Sequence, residues 1–379
     1  MSSSLPLSGL VVFEFAGLAP APFAGLILSD FGANVIRIDR TQTTSVDTLC
    51  RNKRSIALDL KNPASVETLK RMLKQADVLL DPYRPGIMEK MGLGPEVLLA
   101  ENPRLIFARL SGYGQTGSAS QAAGHDLFRR PGEVPSFPLN IMADFAGGGL
   151  MCVMGILMAI IERSRSGKGQ VVDAGLTAGT SYLATFPYTL MKVGLVHKDQ
   201  PGTNMLDGGS HFYQIYETKD GRYMAVGSIE PHFYALALEG LGLAGQADLP
   251  DQMDRTQWPA MKQRFAAVFA TKTQAEWTKI FDGSDACVTP VLAYREPIPG
   301  TEGDPEVSAN QWPRQASVPQ PAPILSRTPA PQAVHADNPF LLPGKHTVEI
   351  LTQFGIERDH IQKLLTSGVA EDDAFHSNL

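Results

Sequence analysis

Residues 10–38 read LVVFEFAGLAPAPFAGLILSDFGANVIRI, and this stretch decides the fold. LVVFEF (10–15) is a short continuous apolar run, the pattern of a strand buried on both faces. A Gly/Pro-rich turn follows, then the apolar helix FAGLILSDF, then Gly32 and a second strand, NVIRI (34–38). The rhythm continues: SIALDL (55–60), DVLLD (77–81) and RLIFARL (104–110) read as strands, and PASVETLKRMLKQ (63–75) as a capped amphipathic helix. Buried strands alternating with helices build a parallel sheet covered on both faces. The predicted class is α/β, with a Rossmann-like large domain and a smaller α+β domain. The loop after the first strand carries no G-x-G-x-x-G, and no G-x-x-x-x-G-K-[ST] occurs. Dinucleotide binding and nucleoside triphosphatase chemistry are therefore disfavoured.

Further along, GGLMCVMGILMAIIERSR (148–165) reads as a helix apolar nearly all round and opened by glycines, followed by the strand QVVDA (170–174). YQIYETKDGRYMAVGSI (213–229) alternates on both sides of Asp220-Gly221, a hairpin signal. Helices are expected over 232–243, 258–270, 274–281, 346–355 and 358–366. The predicted organisation is a large domain from 1–187 with 318–379, a linker at 188–212, a small domain at 213–296 and a proline-rich return linker at 297–317.

At 379 residues the chain exceeds the usual size of one core. A net charge of −6 argues against nucleic acid as a partner. Cys50, Cys152 and Cys287 form no CxxC pair and are expected to be buried thiols, with no metal site. The apolar stretch Leu150–Ile161 falls short of the roughly 20 residues a bilayer needs, and no signal peptide is apparent. The chain thus reads as soluble, without stable membrane association. Ser377-Asn378-Leu379 is one residue from the S-K-L peroxisomal address.

Three polar, glycine-rich stretches stand out. SGYGQTG (111–117) leaves the fifth strand at its carboxyl end, where α/β proteins bind ligands, though a plain flexible turn would read the same. AGHDL (123–127) carries His125. In NIMADFAGGGL (140–150), Asp144 precedes three glycines; it could cap the helix, or the glycines could offer N–H groups to an anion. Arg37, Arg40, Arg51, Lys53, Arg54, Lys61 and Arg84 crowd the first 85 residues. Met142, Met151, Met154, Met158 and Met191 suit either a core or an adaptable apolar pocket.

In order, LDLK, DPYRPGIMEKMGLGP, SGYGQTG, AGHD, PLNIMADFAGGG, SGKGQVVDAG, MLDGG and GSIEPHFYALAL resemble the family III CoA transferase and racemase superfamily. GSIEPHFY is similar to the racemase branch, which acts on 2-methyl-branched acyl-CoA thioesters. The resemblance implies His125 and Asp144 as two bases on opposite faces of the α-carbon. Glu230 would orient His125, from the same chain or its partner. It also implies CoA contacts from Arg40, Arg54, Lys61, Tyr113, Gly114, Gly117 and Asp126, and an interlocked homodimer. No cofactor is implied, CoA being part of the substrate. Branched fatty acids and bile-acid side chains are the substrates of that branch, located in the peroxisome and also the mitochondrion. After His125-Asp126 the chain reads LFRRPGEVPSFPLN, shorter than the apolar helix the family carries there. Two other readings stay open: a CoA transferase with Asp144 as nucleophile, and a catalytically impaired acyl-CoA-binding variant.

The chemistry is consistent with those residues on its own terms. Inverting a carbon beside a thioester carbonyl needs one group to take a proton and another to return one from the far side. A neutral histidine and a carboxyl group exchange those roles near neutral pH. The enolate between the steps needs aligned donors, for which Gly147–Gly149 N–H groups are the expected source.

Overall fold

The computed structural model describes residues 4–122, 140–192, 200, 202–292, 319–334 and 338–372. His125, Asp126, the 127–139 stretch, the 297–317 return linker and residues 377–379 lie outside the described residues. The described residues gather into two units, one holding the large sheet and one lying between Ala184 and Pro319.

The first unit is built on β1 (Val11–Phe15), β2 (Asn34–Asp39), β3 (Arg54–Leu58), β4 (Val78–Asp81), β5 (Ile106–Ser111) and β6 (Val171–Gly175). With the two-residue β10 (Ala370–Glu371) they form a seven-stranded sheet in the order β10-β3-β2-β1-β4-β5-β6. All pairings are parallel except β10 on β3. The five N-terminal strands are those the sequence predicts. Strand periodicity sorts their side chains. Phe13 and Phe15 join Ile36, Ile38, Leu79 and Phe107 on one face, under α2 (Pro63–Leu73) and the C-terminal helices α11 (Thr347–Gln353) and α12 (Arg358–Thr366). Val12, Val35, Val78, Leu80 and Ile106 face the other way, against α1 (Pro20–Asp30) and α5 (Met151–Ser166).

Glu14 breaks the apolar run of β1. Its carboxylate accepts from Lys53 Nζ at 2.9 and 2.8 Å, and Lys53 also donates to the Pro22 carbonyl at 2.8 Å. Both side chains are fully buried. Burial pushes the Glu14 carboxyl up, while the Lys53 ammonium pulls it back. Gly25 of α1 makes room: a Cβ there would lie 1.7 Å from Glu14 Oε2. Arg37 is also buried, donating to Asp39 at 2.9 Å and to the Leu341 carbonyl at 2.7 Å.

The chain after Asn338 closes the β3 edge. Gly344 N donates to Ser55 Oγ at 2.8 Å, His346 N to the Ser55 carbonyl, and Ala57 N to Thr347 Oγ1. A free strand edge invites foreign pairing, and these contacts remove it.

The apolar helix departs from its predicted limits. It begins at Ile141 rather than at the glycines, as a π-helical segment Ile141–Leu150 continuous with α5. At 26 residues it is long and apolar enough to cross a membrane, unlike the stretch Leu150–Ile161 taken alone. Its inner side nevertheless belongs to the sheet: Cys152, Ile156 and Ala159 are buried, and Arg163 pairs with Asp77 at 2.9 Å. The outer side exposes Leu150, Met154, Leu157, Met158 and Ile161, so Met154 and Met158 are not core residues.

In the second unit, β7 (Tyr213–Glu217), β8 (Tyr223–Gly227) and β9 (Val288–Val291) form an antiparallel sheet in the order β7-β8-β9. The hairpin turns at the predicted Asp220-Gly221, with Gly221 at φ 72°. The helices α8 (Pro231–Gly240), α9 (Trp258–Phe269) and α10 (Gln274–Phe281) pack on it through Phe212, Tyr216, Trp258, Phe265, Phe269 and Trp277. Thr273 and Glu276 close a reciprocal capping box at the start of α10. His211 is fully buried among Phe212, Tyr234 and Phe265 rings, its Nε2 2.8 Å from Tyr234 Oη. Burial pushes its pKa down to about 4. Cys287 departs from expectation: it is exposed, at a left-handed φ of 53°.

Two outcomes follow from the buried charges. Lys53→Met leaves the Glu14 carboxylate buried without its cation, a loss of about 3–5 kcal/mol. Urea unfolding measures it, and restoring most of the stability with Glu14→Leu in the same chain is the expected second result. His211 is held neutral below its ordinary value, so its contribution is complete above about pH 6.5 and falls away as pH drops to about 4. The size is on the order of 3 kcal/mol. Tryptophan fluorescence follows it, since Trp258 and Trp277 lie in this unit, and His211→Asn should flatten that part of the pH profile.

Candidate active site

In this strand order the chain runs β1-β2-β3 to one side and β4-β5-β6 to the other. The crevice at the carboxyl ends of β1 and β4 is where such sheets bind ligands. Gly17, after β1, lets the two loops meet there, since a Cβ would lie 2.7 Å from Pro82 Cβ. Arg40 follows the last residue of β2 and is exposed at this edge. It lies beside the Tyr83 hydroxyl, which burial pushes up and Arg40 pulls down. Asp81, the last residue of β4, is pushed up to about 6 by burial, against the Tyr83 N–H and Arg109, which favour its anion. Lys61, in the turn after β3, and Arg84, after β4, are exposed on the same side.

The other four cations of the N-terminal cluster have different work. Arg37 and Lys53 are buried in the pairs described above. Arg51 binds Asp30 through two nitrogens. Arg54 sits at the amino end of β3, bonded to Asn34 Oδ1 at 2.8 Å and Glu349 Oε1 at 2.6 Å. The structure therefore brings Arg40 and Lys61 to the carboxyl edge and places Arg54 on the opposite edge.

The SGYGQTG loop is tied to β6 and to the residues after it by hydrogen bonds. Gly114 and Gly117 take φ of 77° and 93°, a region costly for other residues. Asp173 of β6 accepts from Gln115 N at 3.0 Å, and Thr177 donates twice to the Gly112 carbonyl. Gly175 admits the loop closely, since a Cβ would lie 2.9 Å from Gly114 N. Tyr113 is left 38% exposed, enough for its ring to reach a ligand. Asp173 and Thr177 are site-shaping residues that motif reading missed. Their only signal was the string VVDAGLT, with no spacing to tie it to residues 60 positions earlier.

Asp144 is not the cap of a glycine-opened helix. Asn140, at φ 64°, occupies that position, and Asp144 lies half-buried in the first turn, its carboxylate accepting from Asn140 Nδ2. Gly147–Gly149 serve packing: a Cβ on Gly147 would lie 2.3 Å from Thr180 Oγ1, and one on Gly149 2.7 Å from the Pro20 carbonyl. From α6 (Leu176–Leu183), Gly179 answers Gly147 with a Cβ position only 1.8 Å from its carbonyl. These glycines lie inside the helix, so its N-terminal end is the turn that carries Asp144.

In the second unit, Glu230 occupies the N-cap of α8 with an exposed side chain that does not cap the helix. Its carboxylate has no hydrogen-bond partner among the described residues, while its backbone carbonyl accepts from Tyr234 N at 2.9 Å. His125 and Asp126 lie outside the described residues.

Residues 7–347 match the family model for CoA-transferase family III. The chain is 50% identical to alpha-methylacyl-CoA racemase of Mus musculus over 384 residues, covering 98% of this chain and 100% of that protein. It is 49% identical to alpha-methylacyl-CoA racemase of Homo sapiens, covering 99% and 100%. Among solved structures it resembles a CaiB/BaiF-family protein from Brucella suis, with a TM-score of 0.72 and 23% identity over 93% of this chain and 100% of that one. That likeness bears out the α/β fold read from the sequence.

Gly179→Ala tests the helix crossing that holds Asp144. Overpacking should cost about 1–3 kcal/mol, seen as a lower urea midpoint and faster amide exchange over Ile141–Leu150. An unchanged midpoint would contradict the close approach.

Proposed function

The chain belongs to CoA-transferase family III, and from that premise we propose that it is a racemase inverting the α-carbon of 2-methyl-branched acyl-CoA thioesters. The observation that carries the reading is its 50% identity, over nearly the whole chain, to a racemase of that substrate class.

In this reading His125 and Asp144 stand on opposite faces of the α-carbon, one removing the proton and the other delivering one. Glu230 orients the His125 ring. Asn140 steers the Asp144 carboxylate through their hydrogen bond. The positive end of the long helix, at whose first turn Asp144 sits, favours negative charge developing on the thioester oxygen. Arg40 and Lys61 at the carboxyl edge, with Tyr113, Gly114 and Gly117 of the SGYGQTG loop, receive the CoA portion. Arginine suits phosphate through its planar fork. The proton transfers require no redox group or metal, and CoA enters as part of the substrate. The uncovered apolar side of the helix, from Leu150 to Ile161, fits a second copy of this chain, in a homodimer.

Incubation with a 2-methylacyl-CoA in deuterated water should place deuterium at the α-carbon, read by mass spectrometry. Asp144→Asn and His125→Ala should each lower exchange by about 10²- to 10⁴-fold. Hydroxylamine should trap no acyl-enzyme, whereas a transferase using Asp144 as nucleophile would yield one. No exchange at high enzyme concentration would overturn the reading.

A further inference from the structure

We propose that Gln252 is a positioning residue for Glu230, a reading that rests on Glu230 orienting His125. Glu230 ends the three-residue connection from β8 to α8, Ser228-Ile229-Glu230, and its carbonyl accepts from Tyr234 N at 2.9 Å in the first turn of the helix. Ser228 and Ile229, just before it, lie in neither strand nor helix. Its own side chain makes no cap bond, and the local backbone bonds, Ile229 N to the Gly227 carbonyl and Tyr234 N to the Glu230 carbonyl, leave the Ser228 and Ile229 carbonyls for a partner outside the connection.

Gln252 supplies what is missing. Its side-chain Nε2 donates to the Ser228 carbonyl at 3.0 Å and to the Ile229 carbonyl at 2.9 Å, the two backbone acceptors immediately before Glu230. Gln252 is buried, and its own carbonyl accepts from the indole Nε1 of the buried Trp258 at 2.9 Å. The anchor thus runs from the first residue of α9, through Gln252, to the backbone that carries Glu230. A second support acts from the other side: Ser228 Oγ donates to the Ala286 carbonyl at 2.5 Å, and Gly227 N to the Cys287 carbonyl at 2.8 Å. Clamped between these, the Ser228–Ile229 peptide has one orientation, and Glu230 leaves it toward solvent. A buried amide that spends its donors on two consecutive carbonyls is specific to glutamine. Methionine fills the same volume and offers no donor, while asparagine is one methylene too short.

Loosening that peptide should act on proton transfer rather than on CoA binding. A misplacement near 1 Å at a catalytic constellation costs on the order of a hundredfold. Gln252→Met is therefore expected to lower kcat for α-proton exchange by about ten- to a hundredfold, with KM within about twofold. Because a carboxylate held near a histidine raises its pKa, the histidine limb of the pH–rate profile should move to lower pH. A purely structural role would lower the amount of folded enzyme and leave that limb in place. Gln252→Asn should give an intermediate loss and covers the case in which the methionine variant does not fold.

The deciding measurement is a double-mutant comparison with Glu230→Gln. If Gln252 acts through Glu230, Gln252→Met in the Glu230→Gln chain has no further effect on kcat. A full, additive loss in that background, with Glu230→Gln itself impaired, overturns the role of Gln252 alone. Wild-type kcat in Glu230→Gln overturns the role of Glu230, and the present proposal with it. An unshifted histidine limb in both Gln252 variants also counts against it.

Discussion

The bond between Lys53 and Glu14 is the contact on which the large unit depends. A carboxylate in the centre of a parallel sheet is tolerable only with a cation and further hydrogen bonds at hand. Lys53 brings that cation from the turn before β3, and ties in the Pro22 carbonyl at the start of α1. One ammonium therefore holds β1, α1 and the approach to β3 in register. Gly25 then follows as a necessity, because any larger residue on α1 would occupy the space of the carboxylate. With α1 pressed against the sheet at this point, its neighbour across the same face is the π-helical segment carrying Asp144, in contact through Phe23 and Phe145.

This accounts for which basic residues remain for a ligand. A sequence crowded with arginine and lysine looks like a phosphate-binding surface, yet Arg37, Lys53, Arg51 and Arg54 neutralise carboxylates of the fold. Their partners explain why sequence could not sort them. Lys53 meets Glu14 across 39 positions and Arg54 meets Glu349 across 295. No local pattern encodes such distances. The cations left at the carboxyl edge are those in turns after strands, where position alone is informative.

What was legible had a short-range cause. Strands β1 to β5 read directly because buried parallel strands are continuous apolar runs. The hairpin at Asp220-Gly221 read because its turn demands a left-handed residue. The start of the long helix was misjudged for the opposite reason. Three glycines look like a helix opening when only the chain itself is considered. Their meaning comes from α6, whose Gly179 needs a bare backbone to approach, and that partner is 32 residues away in sequence. For the candidate site, motifs pointed to Asp144 and Glu230, whereas nothing pointed to Asp173 and Thr177, which hold the SGYGQTG loop. Supporting residues carry no motif of their own.

The way residues 338–372 close the sheet bears on how the chain is made. The edge of β3 is complete within the first 60 residues, but its covering strand, β10, comes about 300 residues later. At ribosomal speeds of 5–20 residues per second, that edge waits on the order of 15–60 seconds for its partner. During this interval the nascent chain presents an open row of backbone donors and acceptors beside an apolar face. A chain released before Gly344 lacks both the Gly344–Thr347 contacts and β10, and keeps that opening. Truncation ahead of Gly344 would therefore weigh on solubility and quality control more than the lost share of buried surface implies.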